Sequence, residues 1–159
     1  MAVRDLRRGV LMGAMLLASV GPARAADDMQ WQLREDPDGV VLAYEVPNTD
    51  DQALMLACTP RQRAISLQYD GDARRLRPGQ SAQVELASEG GRLTLPLRAE
   101  PQEMDSLMLL VGQAPLTQAL VAVLQGRTLR ITQAGTTRRI PLAGAQQGVA
   151  TLVRICGLR

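Results

Sequence analysis

Residues 82–97 read AQVELASEGGRLTLPL, and this stretch decides the fold class. Apolar residues alternate with polar ones on both sides of the turn sequence Glu89-Gly90-Gly91. A period of two is typical of a half-buried strand, and paired glycines favour a tight turn. The stretch therefore predicts a β-hairpin formed by residues 82–87 and 92–97. Pro96 has no amide hydrogen to donate, which predicts an edge strand or a strand end at that point.

The same period recurs on both sides of this hairpin, with turn residues between the segments. Asp36-Pro37-Asp38-Gly39 is turn chemistry, and Ala134-Gly135 marks a second short turn. Strands joined by short turns favour antiparallel pairing over a doubly wound parallel sheet. The further strands predicted in this way are residues 29–34, 40–46, 53–58, 64–69, 105–111, 127–133 and 136–142, of which 105–111 is apolar enough for a central strand.

Two segments change to a helical period. Residues 116–124 carry apolar side chains at helical spacing, with Pro115 suited to the first turn and Gly126 to the stop. A last helix opens near Gly144 and ends close to Cys156. The predicted class is therefore α+β: mainly antiparallel, sandwich-like β-structure with two short helices, one of them C-terminal, and one disulfide.

The disulfide prediction concerns the two cysteines, Cys58 and Cys156. Both lie on apolar faces, and an exported chain meets an oxidising compartment where an even pair is usually bridged. The bridge would close a loop of 98 residues. On the chain-entropy model this stabilises the fold by about 4 to 5 kcal/mol. The alternative is two unpaired thiols in the core.

Export is indicated by residues 1–25. Arg4, Arg7 and Arg8 precede an apolar run at residues 10–20, and Ala23-Arg24-Ala25 supplies a small-x-small cleavage site. Eleven apolar residues are too few to cross a hydrocarbon core of about 30 Å, which argues against the alternative of an uncleaved anchor. Cleavage would leave one β-rich domain at residues 26–159, located in the periplasm or secreted.

The export route has two readings. The general secretory route suits the leader as a whole, while residues 7–11, Arg-Arg-Gly-Val-Leu, also fit the twin-arginine pattern. In either case no stable membrane span remains after cleavage.

Charge and composition narrow the class of partner. The leader holds four of the 18 basic residues and one of the 16 acidic ones, so the chain that follows has a net charge of −1. A near-neutral chain is not expected to bind nucleic acid or an anionic membrane surface. With one Trp, two Tyr and no Phe, it also has few platforms on which bases or sugars stack.

Most catalytic machinery is missing from the sequence. There is no His and no Lys, which removes Ser-His-Asp and Cys-His systems, histidine-ligated zinc and Schiff-base chemistry. We therefore expect no enzyme, no cofactor and no metal site; Asp70-Gly71-Asp72 lacks the further ligands of an EF-hand loop. The alternative is a carboxylate-dependent hydrolase of cell-wall or polysaccharide material. By elimination, its candidate residues are Glu85, Glu89, Glu100, Glu103 and Asp105.

Two arginine groups are candidates for docking an acidic partner. Solubility of exposed loops is the alternative explanation for both. The residues are Arg74, Arg75 and Arg77 before a Pro-Gly turn, and Arg138 and Arg139 in a predicted strand.

The C-terminal segment carries one resemblance. Residues 138–157 combine an arginine-flanked strand, Pro141-Leu142-Ala143-Gly144 and a final helix ending in Cys156. In this it resembles small exported proteobacterial proteins related to invasion-associated locus B proteins. The resemblance covers about a fifth of the chain and implies an envelope or secreted accessory role without known catalytic residues. Ala145 stands where relatives often have an aromatic residue, and no binding residue is carried over.

Together these features predict a non-enzymatic exported protein that binds an envelope partner, as an accessory or inhibitor protein. The alternatives are the carboxylate-dependent hydrolase and a structural subunit of an envelope or secretion assembly.

Overall fold

A computed structural model describes residues 29–60, 64–102 and 107–157. The predicted leader lies outside these ranges. Within them the chain forms one antiparallel sheet of nine strands and two helices, so the predicted α+β class is confirmed. The strands are β1 (Gln30–Asp36), β2 (Gly39–Glu45), β3 (Gln52–Cys58), β4 (Ala64–Tyr69), β5 (Ser81–Ser88), β6 (Gly91–Pro101), β7 (Met108–Pro115), β8 (Thr128–Gln133) and β9 (Thr136–Pro141), and the helices are α1 (Gln118–Leu124) and α2 (Gln146–Cys156).

The sheet curls until its two edges approach each other. The strand order is β1-β2-β3-β4-β7-β6-β5-β8-β9, which places β1 and β9 at opposite edges. Nevertheless, Nε1 of Trp31 in β1 donates a hydrogen bond of 2.7 Å to the carbonyl oxygen of Pro141 in β9. A single curled sheet thus provides the enclosed core that the sequence predicted as sandwich-like.

Alternation along the strands gives the sheet an inner face and an outer face. The inner face is packed with Leu, Val and Ile side chains, and both helices lie against it: α1 on β5 and β6, α2 on β2 and β3. Gly148 makes the second contact possible, because a Cβ there would lie 2.4 Å from Cδ1 of Leu42. We use "outer face" for the side of the sheet turned away from the helices.

The predicted disulfide is present between Cys58, at the end of β3, and Cys156, at the end of α2. The two Cα atoms are 6.3 Å apart, and both residues are buried. The bridge therefore fixes the C-terminal helix to the inner face of an early strand.

Helix α1 begins later than the sequence predicted. Pro115 ends β7 and does not occupy the first helical turn. The reason is Thr117, whose side chain accepts a hydrogen bond from the Leu120 amide and so fixes the N-cap two residues after the proline. Gly126 follows the C-cap residue Gln125, as expected for a stop signal.

Of the two alternatives predicted for Pro96, the structure shows a local sheet edge and not a strand end. Pro96 lies inside β6, opposite Gln83 of β5. On its other side, however, β6 pairs with β7 only from Arg98 onwards. Strand β6 therefore has a partner on one side only at Pro96, and the missing amide hydrogen breaks no ladder there.

Two other boundaries also shifted. The described part of β7 begins at Met108, and positions 105 and 106 of the predicted strand lie outside the described residues. Gly144 belongs to the turn before α2, with φ at +90°, and the helix itself begins at Gln146. Across the described ranges, neither helix is long and apolar enough to span a membrane.

Candidate functional site

The structure separates the arginines that the sequence singled out. Arg74, Arg75 and Arg77 lie exposed in the loop between β4 and β5. Nε of Arg74 is 3.8 Å from Oδ1 of Asp72, and the Arg74 side chain is 92% exposed. A pair this exposed contributes little to stability.

Arg138 and Arg139 lie on opposite faces of the sheet, because neighbouring residues of a strand point to opposite sides. Arg138 alternates in phase with buried Ile140 and donates a 3.2 Å hydrogen bond to the carbonyl oxygen of Asp70. Its guanidinium is also 3.6 Å from the Asp70 carboxylate. Arg138 thus joins β9 to the end of β4, while Arg139 is exposed on the outer face.

Arg139 belongs to a row of arginines that no sequence motif predicts. In the sheet register it lies opposite Arg130, Arg130 lies one strand away from Ala87, and Ala87 lies opposite Arg92. The four residues therefore form one line across β6, β5, β8 and β9. We call Arg92, Arg130 and Arg139 the arginine row. With strands about 4.8 Å apart, Arg130 and Arg139 are one spacing apart and Arg92 and Arg130 are two.

None of the three guanidinium groups forms an ion pair or a side-chain hydrogen bond within the described ranges. Arg92 and Arg139 are exposed and Arg130 is partly exposed. Like charges placed directly opposite each other in a sheet are destabilising. The close approach of Arg130 and Arg139 therefore has a local electrostatic cost that no carboxylate of the described residues offsets.

The next line of residues on the same face is mostly uncharged. Thr94, Thr132 and Thr137 present hydroxyl groups, and Thr132 and Thr137 are hydrogen-bonded to each other at 2.9 Å. Glu85 lies between Thr94 and Thr132. This half of the outer face, on β5, β6, β8 and β9, therefore presents a positive row beside hydroxyl groups and a single carboxylate.

On the outer face of β1 and β2, by contrast, an arginine is paired with a carboxylate of the same chain. Arg34 forms a two-pronged ion pair with Glu45, and Gln52 donates a 2.9 Å hydrogen bond to the same carboxylate. Burial on its own would raise the pKa of Glu45, but the hydrogen bonds from Arg34 and Gln52 and the charge of Arg34 outweigh it and lower the pKa. The positive charge of Arg34 is thus balanced by a carboxylate of the same chain.

A polar cavity of about 650 Å³ lies beside this pair. The turn between β2 and β3 forms one wall with Asp50 and Asp51, and Glu45 and Asp70 contribute two further carboxylates. Within the described ranges, no group of three or more His, Cys, Asp or Glu side chains is arranged to hold a metal ion.

The two regions belong to a chain whose charges are segregated. Residues 29–60 contain one basic and six acidic residues, whereas residues 107–157 contain five arginines and no Asp or Glu. The near-zero net charge conceals this asymmetry. It is the sequence signal from which an unpaired basic surface is predictable.

The carboxylates of the hydrolase alternative are spread along the β5–β6 hairpin. From the strand rise of about 3.3 Å per residue, Glu85 is roughly 13 Å from Glu89 and roughly 20 Å from Glu100. Paired glycosidase carboxylates lie about 5 to 9.5 Å apart. Glu103 and Asp105 lie outside the described residues.

Glu89 has a structural task at the hairpin turn. Its Oε2 accepts hydrogen bonds from the backbone amides of Arg127 at 2.8 Å and Thr128 at 3.3 Å. These bonds, that of Arg127 first, lower the pKa of Glu89 to about 2. The carboxylate therefore stays ionised and ties the hairpin to the start of β8.

Comparison of the chain with protein families, with curated proteins and with solved structures finds no match.

Proposed function

We propose that this protein is a non-enzymatic, exported binding protein that docks an acidic protein of the cell envelope on its arginine row. The single observation that carries the proposal is the alignment of Arg92, Arg130 and Arg139 on the outer face of the sheet, without ion-pair partners among the described residues. The residues are brought together by strand register alone, although 38 and nine positions separate them in sequence.

The chemistry of the row suits carboxylates. A guanidinium group presents a planar set of donors that matches a carboxylate in a two-pronged geometry. Because the three arginines stem from strands of one sheet, the positions of their backbones are fixed before binding. Pre-organisation of this kind reduces the entropy lost on association.

The neighbouring residues favour a protein over a uniform polyanion. Glu85 lies in the next line of the same face, two residues along β5 from Ala87. Its charge opposes a ligand that carries phosphate or sulfate at every position, whereas a protein surface can place a hydroxyl or basic group opposite it. The hydroxyl groups of Thr94 and Thr132 supply uncharged polar contacts beside the row.

Three further observations support an accessory role outside the cytoplasm. The buried Cys58–Cys156 disulfide is compatible with an oxidising compartment such as the periplasm. The chain contains no His and no Lys to serve as a general base or nucleophile. The resemblance of residues 138–157 to invasion-associated locus B relatives implies a similar role.

The test compares two triple variants of equal charge change. Arg92→Gln/Arg130→Gln/Arg139→Gln removes the row, and Arg74→Gln/Arg75→Gln/Arg77→Gln removes three exposed loop arginines as a matched control. Chemical crosslinking in intact envelopes, followed by mass spectrometry, measures recovery of the partner. We expect recovery to fall at least about tenfold for the row variant, because charged hydrogen bonds contribute about 1.5 to 3 kcal/mol each.

Equal recovery with both triple variants would refute the role of the row. Failure to recover any specific partner from wild-type envelopes would refute the binding function itself.

A further inference from the structure

Strand β6 has an open edge over its first half. It pairs with β5 from Gly91 to Arg98, whereas its ladder with β7 runs only from Arg98 to Pro101. Strand β7 then continues beside β4 as far as Pro115 and no longer pairs with β6. Among the described strands, the first residues of β6 therefore have a neighbour on one side only. We call residues 91–95 the open edge.

Two hydrogen bonds show which backbone groups of β6 point to each side. The amide of Ala99 donates to the carbonyl oxygen of Gln80, just before β5, at 2.9 Å. Across the hairpin with β7, the amide of Gln102 donates to the carbonyl oxygen of Leu107 at 2.8 Å. Backbone groups of successive residues in an antiparallel strand point to alternate sides. Odd-numbered residues of β6 therefore bond to β5, and even-numbered residues point to the other side.

The open edge thus presents unpaired backbone donors and acceptors. The amide and carbonyl groups of Arg92 and Thr94 point to it, and they have no hydrogen-bond partner within residues 29–60, 64–102 and 107–157. Pro96 comes next on the same side and has no amide hydrogen to donate, which accounts for the end of the ladder with β7. An unpaired sheet edge is the surface to which an extended peptide adds as a further strand.

Side chains on both faces of the open edge are incompletely covered. On the inner face, Leu93 and Leu95 alternate in phase with buried Leu97 but remain partly exposed. On the outer face, Arg92 is exposed and has no ion-pair partner in the described part of the chain. An added strand would therefore cover apolar side chains on one face and meet a positive charge on the other.

We propose that an extended segment of the envelope partner, with acidic and apolar residues in alternation, adds to the open edge as an antiparallel strand. Its apolar side chains cover Leu93 and Leu95, and one of its carboxylates lies opposite Arg92. Because Arg92 is the end member of the arginine row, that carboxylate continues the line of the row by one strand. The inference rests on the proposed function and specifies that backbone hydrogen bonds, as well as charge, hold the acidic partner.

Amide hydrogen exchange, followed residue by residue by NMR, tests whether the edge is open. In the free protein we expect the amides of Arg92 and Thr94 to exchange at least about a hundredfold faster than those of Leu93 and Leu95, which bond to β5. Slow exchange at Arg92 and Thr94 in the free protein would show that the edge is already covered and would overturn the proposal.

A synthetic peptide, acetyl-Glu-Val-Glu-Val-Glu-Val-amide, is the probe for strand addition. Residues directly opposite in an antiparallel ladder share a face, so its Glu residues lie opposite Arg92 and Thr94 and their amides point to β6. The Val amides point away. Methylation of the Glu amides therefore removes the donors to β6, whereas methylation of the Val amides leaves them in place, and neither changes the charge.

NMR titration measures the affinity of the three peptides for the wild-type protein. The parent and the Val-methylated peptide should slow exchange at Arg92 and Thr94. The Glu-methylated peptide should bind at least about tenfold more weakly, because two hydrogen bonds are lost. Equal affinity of the two methylated peptides, or a parent peptide that does not protect Arg92 and Thr94, would overturn the proposal.

A variant of the protein separates strand addition from docking on the row. Thr94→Pro removes an amide from the open edge and keeps every arginine, and Thr94→Ser is the matched control. Unchanged exchange at Leu93 and Leu95 shows that β6 remains intact in the variant. We expect Thr94→Pro to lose partner crosslinking and Thr94→Ser to retain it. Full crosslinking by Thr94→Pro with an intact β6 would overturn strand addition, while loss of crosslinking by the row variant would still support the proposed function.

Discussion

Two arginine environments on one sheet face differ in whether the fold pairs the guanidinium group. On β1, Arg34 meets the carboxylate of Glu45, whose side chain is 10% exposed. On β6, β8 and β9, three arginines align with no carboxylate of the described residues in ion-pair range. The difference lies in what the register places beside each guanidinium group and not in the strands themselves.

Glu45 should give the largest effect, because it completes a network within the chain. Glu45→Ala leaves the guanidinium of Arg34 and the amide of Gln52 without their acceptor. We expect the free energy of unfolding to fall by about 2 kcal/mol, below the range for a fully buried pair because Arg34 is half-exposed. Urea unfolding measures it, with Arg130→Ala as the control that should change stability by less than about 0.5 kcal/mol. If Glu45→Ala and Arg130→Ala lowered the free energy of unfolding by similar amounts, the distinction between a paired and an unpaired arginine environment would be wrong.

A carboxylate placed in the arginine row should convert it into the paired kind. Ala87 lies between Arg92 and Arg130, so Ala87→Glu positions a negative charge beside both. Because Ala87 is only 6% exposed, any larger side chain costs some packing, and Ala87→Gln is the uncharged control of nearly equal size. We expect Ala87→Glu to be about 1 kcal/mol more stable than Ala87→Gln because of its two cross-strand ion pairs, and to lose the partner crosslinking that Ala87→Gln retains. Equal crosslinking by the two variants would show that the partner does not use the row.

Removing one of the facing charges should have a smaller effect of opposite sign to that at Glu45. Arg139→Gln relieves the like-charge contact with Arg130. We expect the free energy of unfolding to rise by about 0.3 kcal/mol in low salt and the gain to vanish in about 0.5 M salt. Thermal unfolding at the two salt concentrations measures the difference. A destabilised variant would indicate that Arg139 has an internal role.

The smallest effect concerns Glu89, whose carboxylate is held mainly by backbone amides, with the Arg127 guanidinium 4.0 Å away. Its folded-state pKa of about 2 lies below the ordinary value of 4.5, so its contribution is complete above about pH 5 and is lost as the pH falls towards 2. The stability difference between wild type and Glu89→Gln should therefore be constant at neutral pH and disappear near pH 2. Denaturant titrations at pH 7, 4 and 2 test this. A difference that persists at pH 2 would contradict the assignment.

The sequence predicts local structure well because local structure depends on neighbouring residues. The period of two and the glycine-containing turns place all nine strands to within a few residues, and the apolar positions of the two cysteines predict their bridge. Strand order is not predictable in this way. The insertion of β7 between β4 and β6 depends on packing between segments distant in sequence.

The proposed binding surface was predictable only in part, because it too depends on contacts between segments that are distant in sequence. Arg92 and Arg130 stand alone in sequence and become neighbours of Ala87 only through strand register. Arg138 and Arg139 are adjacent in sequence, which suggests a single basic group. Strand alternation, however, places their two side chains on opposite faces of the sheet. Combining alternation with the absence of acidic residues from residues 107–157 points to Arg139 and Arg130 as the outward set.

Site-specific photo-crosslinking in living cells tests the central claim most directly. A photoreactive residue at position 94 is exposed on the outer face of β6, two residues from Arg92, and one at position 55 is partly exposed on the outer face of β3, three strands from β6 in strand order. We predict a discrete adduct at position 94 with an Asp- or Glu-rich segment of a second protein. It should be absent at position 55 and abolished by Arg92→Gln/Arg130→Gln/Arg139→Gln. The same adduct at both positions, or none at position 94, would contradict the account.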